Sequence, residues 1–451
     1  MNKNKNIKNI PGVIISAPSS HSGKTVITCA LISKFIQMGL KISAYKIGPD
    51  YIDPGFLKFA SNSDVYNLDS WLMNKNNLCE LFYNTSQNSD LAIIEGVMGL
   101  FDGGENSTAE IAKLLNIPVI LVIDSKSAGE SVAALAFGFK NYDPCLNFAG
   151  VILNNIGSEN HEKIIFNALN KININIKILG TVYRDKNLIL PERHMGLTQA
   201  QEINLNNLNL NLQNIKNINY DEILKISHET KQIKFTRSKI ITHHKNIKIA
   251  VALDEAFSFY YAESLSTLEK FGAELIYFSP LRDKNLPAGI NAIILGGGYP
   301  ELHAKYLFEN FSMRKNIFNC GLPIYAECGG FMYLCESLTD FDNNKFEMAG
   351  LINFDCVMNK RPVIGYVECE ALNNNLICNA GKKIRGHEFH FSSMSTHVNI
   401  NKDRYTAFKI LRRNSEISYY GGYSNNNILA SYVHINFFGN YDLAETFINR
   451  L

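Results

Sequence analysis

The chain has 451 residues, 46% of them apolar, and its 44 basic and 42 acidic side chains leave a formal net charge of +2. That length favours two or three domains, and the balanced charge excludes a global attraction to nucleic acid or anionic lipid. The longest apolar runs, such as Pro118–Ile123, are too short to span a bilayer, the N-terminus Met1-Asn2-Lys3-Asn4-Lys5 lacks a signal core, and nine scattered cysteines show no C-x-x-C pair, so a cytoplasmic protein with a small-molecule partner is expected.

Short β-branched runs alternate with helical patterns through the first half: Val13–Ala17, Ile42–Ile47, Leu91–Ile94, Val119–Ile123, Val151–Asn154 and Ile178–Val182. Strands this uniformly apolar predict a parallel sheet covered by helices on both faces. From Ile203 to Asn219 the text narrows to Asn with Leu or Ile and holds no single helical face, which marks a domain boundary. The alternation restarts at Ile247–Leu253, Leu275–Phe278, Ala292–Leu295 and Pro323–Ala326. The expected division is therefore α/β domains at 1–204 and 246–451, joined by an Asn-rich or helical connection at 205–245.

In open parallel sheets ligands gather beyond the carboxyl ends of the strands, and the informative residues follow the predicted strands. After Val13-Ile14-Ile15 comes Ser16-Ala17-Pro18-Ser19-Ser20-His21-Ser22-Gly23-Lys24-Thr25, a phosphate-binding loop with Pro18 where the first glycine usually stands. Backbone N–H groups around Ser22 and Gly23 would cradle phosphates, Lys24 would reach the outer ones and Thr25 a magnesium ion, so ATP and Mg²⁺ are the expected ligands. A plain helix start capped by Ser22 is the bland alternative. The second strand leads into Lys46-Ile47-Gly48-Pro49-Asp50-Tyr51-Ile52-Asp53-Pro54, and the third into Glu95-Gly96-Val97-Met98-Gly99-Leu100-Phe101-Asp102-Gly103-Gly104. Magnesium takes oxygen ligands shared with phosphate and water, so Thr25 with one or two of these acids suffices. Asp50 and Glu95 are favoured as the metal-associated pair, with Asp50, Tyr51 and Asp102 assigned to the second substrate; each acid taken singly could instead be a cap or a solvated loop charge.

In the second half, Pro323-Ile324-Tyr325-Ala326-Glu327-Cys328-Gly329-Gly330 reads as a strand ending in a nucleophile elbow. The turn would expose the Cys328 sulfur, aim the Gly329 N–H at a developing oxyanion, and lower the thiol pKa at a helix N-terminus. Gly297 and Gly298 of Gly296-Gly297-Gly298-Tyr299-Pro300-Glu301 would supply further oxyanion donors, and His434, at the end of the last strong strand pattern, would be the base. His387 and His390 of R-G-H-E-F-H are assigned to structure or an interdomain contact, since H-E-F-H is one residue short of a zinc-protease motif.

Together these residues resemble the cobyrinic acid a,c-diamide synthase family, including its hydrogenobyrinic acid counterpart, through K-I-G-P-D-Y-I-D-P-G-F at Lys46–Phe56, N-L-D-S-W-L-M at Asn67–Met73, E-G-V-M-G-L-F-D-G at Glu95–Gly103, P-E-R-H-M-G-L at Pro191–Leu197 and R-G-H-E-F-H at Arg385–His390. The resemblance implies a P-loop NTPase-type domain like dethiobiotin synthetase, followed by a class I glutamine amidotransferase domain. It implies a ligase that amidates the a and c acetates of a corrinoid ring, with ATP, glutamine and the corrinoid as small-molecule partners and Cys328 and His434 releasing ammonia. No nucleic acid or membrane partner is expected, and a homodimer is the assembly considered. Two departures stand out: Asn436 occupies the place, two residues beyond the histidine, where many such glutaminases carry glutamate, which implies a Cys–His dyad; and the Asn-rich stretch is unlike the family's usual composition. Other tetrapyrroles, such as nickel-sirohydrochlorin, or the later corrinoid acids of cobyric acid synthases would use the same chemistry. A partitioning-type ATPase switch is the alternative from another class, and it leaves Cys328 and His434 without purpose.

Overall fold

Residues 9–171, 175–188, 215, 217–238, 246–395 and 406–451 are described by a computed structural model. The chain divides into two units, Met1–Ser70 with Asn74–Ser238 and Trp71–Met73 with Lys239–Leu451. Among the described residues no helix is long and apolar enough to cross a membrane.

Among the described residues the first unit holds seven strands, β1 (Gly12–Ser16), β2 (Ile42–Ile47), β3 (Val65–Leu68), β4 (Leu91–Glu95), β5 (Val119–Asp124), β6 (Phe148–Ile156) and β7 (Ile178–Tyr183). All pair in parallel in the order β3-β2-β4-β1-β5-β6-β7. Every residue of β1, β2 and β4 is buried, as their continuous apolar patterns require of a sheet covered on both faces. Chain order reverses around β1, which has β4 on one side and β5 on the other, so a crevice opens beyond the carboxyl ends there. Registers pair Ile15 with Glu95 and Lys46 with Glu95, bringing three strand ends to one place.

The helix Lys24–Gln37 follows β1 and contributes Ile27, Leu31 and Phe35 to the core against Val13, Ile15 and Ile93. In the stretch expected to connect the domains, Tyr220–Ser227 is a helix capped by Asn219, and its Ile223 and Ile226 sit in this same core. Most of the Asn-rich stretch and all of Pro191–Leu197 lie outside the described residues.

The second unit contains β8 (Ile247–Ala252), β9 (Ala273–Phe278), β10 (Ala292–Leu295), β11 (Ile324–Glu327), β12 (Cys335–Thr339), β13 (Lys345–Glu347), β14 (Ile352–Ala371), β15 (Lys383–Ser395), β16 (Thr406–Arg412), β17 (Ser418–Ser424), β18 (Ile428–Ser431) and β19 (Val433–Ile435). The stretch β9-β8-β10-β11-β18 is parallel. The long antiparallel hairpin β14–β15 was not legible in the sequence, because its polar Asn359-Lys360-Arg361-Pro362 interrupts the pattern where the register shifts between Met358 and Val363. A proline at such an irregularity costs no ladder hydrogen bond.

Behind the β11 turn, the Gly330 N–H donates to Gly296 O at 2.9 Å, and a Cβ on Gly330 would stand 2.2 Å from Leu295 O. Backbone on both sides leaves no room to yield. Gly330→Ala should therefore destabilise the second unit by about 1–3 kcal/mol, read as a lowered thermal unfolding transition.

Candidate active sites

Beyond β1 the chain turns through Ser19-Ser20-His21-Ser22 and enters the helix at Lys24. Gly23 has φ 90°, and a Cβ there would meet Asn154 Nδ2 at 2.2 Å, the same amide that donates to Ser22 O at 3.0 Å. Only glycine combines that backbone with a brace this close. Ser22 does not cap the helix: its hydroxyl donates to Ser19 O at 3.0 Å. Lys24 Nζ reaches Ser19 O at 3.1 Å and Met98 O at 2.8 Å, and burial together with the nearby Lys46 charge lowers its pKa to about 8.

The acids meet around a buried ammonium that the sequence reading did not single out. Lys46 Nζ bonds Asp53 Oδ2, lies 3.0 Å from Glu95 Oε1 and 3.6 Å from Asp50 Oδ2, and donates to Gly96 O at 3.2 Å. Burial opposes its charge, but the three carboxylates overcome that and hold its pKa above the ordinary lysine value. Thr25 Oγ1 lies 2.8 Å from Glu95 Oε1 and 3.3 Å from Asp53 Oδ1, so Asp53, rather than Asp50, stands beside Thr25. The Asp50 carboxylate accepts from Ile52 N at 2.8 Å, bracing the turn.

Desolvation and the Asp53 charge raise Glu95 to about 8 and Asp50 to about 7. Asp53 is also penalised by burial, yet Lys46 brings it down to about 2. Glu95 Oε2 is buried with no hydrogen-bond partner among the described residues. Asp102 Oδ2 accepts from Gly99 N at 3.1 Å within its own loop, and Tyr51 is half-buried with its hydroxyl enclosed.

In the second unit β11 ends at Glu327, and Cys328 takes φ 46° and ψ −103° before the helix Gly329–Leu334. Its N–H donates to Ser431 O at 2.7 Å and its carbonyl accepts from Met332 N at 3.0 Å, which holds the strained elbow. Parallel pairing of β11 with β18 thus sets Cys328 beside the strand that runs on to His434. A Cβ on Gly297 would touch His434 Cε1 at 2.6 Å, so that glycine lies directly against the imidazole. A Cβ on Gly329 would stand 3.1 Å from Gly298 N, which sets these two oxyanion candidates side by side. Glu327 Oε2 lies 3.4 Å from His434 Nδ1.

Residues 13–197 match the family profile described as the CobQ/CobB/MinD/ParA nucleotide binding domain, and residues 248–441 match the CobB/CobQ-like glutamine amidotransferase domain. A cobyrinate a,c-diamide synthase of Dehalococcoides mccartyi (strain CBDB1) is 41% identical, with 98% of each chain covered. The chain belongs to the cobyrinate a,c-diamide synthase family. Family members so named from Leptospira interrogans serogroup Icterohaemorrhagiae serovar copenhageni (38% identical, 98% of each chain) and Caldanaerobacter subterraneus subsp. tengcongensis (37%, 97% of each chain) are similar over the same extent.

For a member of this diamide synthase family, the thiol is unexpectedly reluctant to ionise. Burial pushes the Cys328 pKa well above the ordinary value, the Glu301 and Glu327 carboxylates add to it, and only the Gly329 N–H pulls the other way. The expected lowering by a helix N-terminus is outweighed, since that helix has six residues and Cys328 is only 4% exposed. His387 and His390 are likewise governed by burial, which lowers them to about 3 and about 4. His387 pairs with His434 across β15 and β19, while His390 stacks on Tyr432 at 3.7 Å; three residues apart on a strand, they point to opposite faces.

Lys46, Asp53 as the neighbour of Thr25, Asn154 and Glu327 escaped the sequence reading of the sites. Only the G-P-D-Y-I-D spacing offered a signal, and it could not tell one aspartate from the other. In a thiolate-absorbance titration of wild type against Cys328→Ser, Cys328 should contribute no ionisation below the ordinary cysteine value of about 8.5.

Proposed function

We propose that this chain amidates the a and c acetate side chains of cobyrinic or hydrogenobyrinic acid in cobalamin biosynthesis, using ATP to activate each carboxylate and glutamine as the source of ammonia. The observation that carries this reading is that one chain has a phosphate loop backed by Lys46, Asp53 and Glu95, and also a Cys328 elbow with His434 facing a carboxylate. A carboxylate is a poor electrophile, and phosphorylation gives it a leaving group. A thiol beside a histidine base splits amide hydrolysis into two easier acyl transfers.

In the glutaminase half-reaction the Cys328 thiol passes its proton to His434 as sulfur attacks the glutamine carboxamide carbon. The developing oxyanion would be met by the N–H groups of Gly329 and of the Gly297-Gly298 loop. Ammonia leaves with the proton returned by His434, and water hydrolyses the thioester to glutamate and free thiol. In the synthetase half-reaction Lys24 neutralises the outer phosphates, and Lys46 keeps Asp53 ionised beside Thr25. The substrate carboxylate oxygen attacks the γ-phosphorus, ADP leaves, and ammonia displaces phosphate from the acyl carbon.

Magnesium suits the first site because Thr25, Asp53 and Glu95 offer only hard oxygen donors, one of them Glu95 Oε2, which has no partner among the described residues. Those three residues would hold the ion, and when bound it would supply positive charge to the phosphates. Asp50, Tyr51 and Asp102, on the two loops flanking this cluster, are assigned to the tetrapyrrole substrate.

Mass spectrometry after incubation with ATP, Mg²⁺, glutamine and, in parallel, cobyrinic acid, hydrogenobyrinic acid and nickel-sirohydrochlorin tests the assignment. Two successive carboxyl-to-amide conversions on a corrinoid are expected, and no amide on any ring would refute it. Cys328→Ala should abolish glutamine-dependent turnover while sparing ammonia-dependent turnover. Asp53→Asn should lower kcat with either nitrogen donor by about 10²–10³-fold.

A further inference from the structure

Asn436, at the position where many glutaminases place the acid that orients the histidine, is committed elsewhere. Its Nδ2 donates to Glu263 Oε1 at 2.7 Å and its Oδ1 accepts from Gly439 N at 2.8 Å. The acid that reaches His434 instead precedes the nucleophile in the chain. Glu327 Oε2 lies 3.4 Å from His434 Nδ1, while Oε1 accepts the Tyr325 hydroxyl at 2.5 Å and Ile435 N at 2.9 Å.

That division of labour between the two oxygens is informative. Tyr325 and Glu327 lie two apart on β11 and so share a face, and Ile435 directly follows His434 on β19. Both donors fix Oε1, and rotating the carboxylate away from the imidazole would forfeit both bonds. Cys328, one residue on, has left the strand through its positive φ, so strand alternation does not send its side chain to the face opposite Glu327.

The other titratable groups around His434 do not compete for the role. His387 on the facing strand is kept neutral by burial, as is His390, and Glu388 accepts the Tyr419 hydroxyl. Glu301 acts on the Cys328 side, where it raises the thiol.

We propose that Glu327, His434 and Cys328 form a triad whose acid is supplied by the residue before the nucleophile, in place of the expected dyad, with Glu327 as a positioning residue. This rests on the glutaminase reading above. Glu327 keeps the proton on His434 Nδ1, leaves Nε2 to receive the thiol proton, and stabilises the imidazolium that results. A thiol held well above its ordinary pKa needs that help, because proton transfer to a neutral, unassisted imidazole would be uphill.

Glu327→Gln separates this role from simple bracing. Its carbonyl can still accept from Tyr325 and Ile435, but its amide presents N–H to Nδ1 and imposes the wrong tautomer. The expected result is a fall of about 10²–10⁴-fold in kcat for glutamine hydrolysis, with KM for glutamine and ammonia-dependent amidation close to wild type. Alkylation of Cys328 by iodoacetamide at neutral pH should slow in parallel. A glutaminase kcat within about twofold of wild type would overturn the proposal. So would loss of ammonia-dependent amidation in the same variant, which would assign Glu327 to the fold. Glutamine hydrolysis surviving in Cys328→Ala would refute the glutaminase reading itself, independently of Glu327.

Discussion

Parallel pairing of buried strands is the constraint on which both sites depend. A parallel ladder sends the carboxyl ends of neighbouring strands to one edge, so residues far apart in the chain meet there whenever the register holds. In the first unit that edge gathers the loop after β1, Lys46 of β2 and Glu95 of β4. In the second it gathers the Gly297-Gly298 loop after β10, Cys328 after β11 and the β18 end that leads to His434. A slip of one residue in β11 would turn Glu327 away from the imidazole and Ala326 toward it.

Within that frame the first site is organised by charge. Three carboxylates crowd a buried lysine, and Coulomb attraction to that ammonium decides which of them ionises most readily. Asp53 is depressed to about 2 while Glu95 and Asp50 are raised to about 8 and about 7, although all three are desolvated. Lys46 bonds both Asp53 and Glu95, but Asp53 is lowered further by hydrogen bonds with Asp50 and Glu95, and ionised Asp53 in turn disfavours negative charge on those neighbours. Lys46 is therefore a buried counter-ion that decides how these three acids ionise.

The second site is organised by burial and strain. Its sulfur is enclosed, and burial raises the Cys328 thiol above its ordinary pKa. The positive φ at Cys328, a conformation that costs on the order of 1–3 kcal/mol, is maintained by hydrogen bonds to Ser431 and from Met332.

Much of this was legible before any coordinates. Apolar runs without alternation announced the parallel sheet of the first unit and the parallel stretch of the second, S-G-K-T after a strand announced a phosphate loop, and a cysteine followed by two glycines announced an elbow, because each pattern follows from local backbone and burial rules. The β14–β15 hairpin was hidden because its polar, proline-containing stretch breaks the strand period. Asp50 and Asp53 are three residues apart in one turn, and only the start of a helix at Asp53 decides which carboxylate meets Thr25. Likewise, local pattern placed an acid next to Cys328 and an amide two residues after His434, but no local rule says which faces the imidazole. The chain's own pattern determined its strands, its loops and its reactive residue types. Tertiary pairing alone decided which acid serves which partner, because those contacts join strands that are remote in sequence and neighbours only across the sheet.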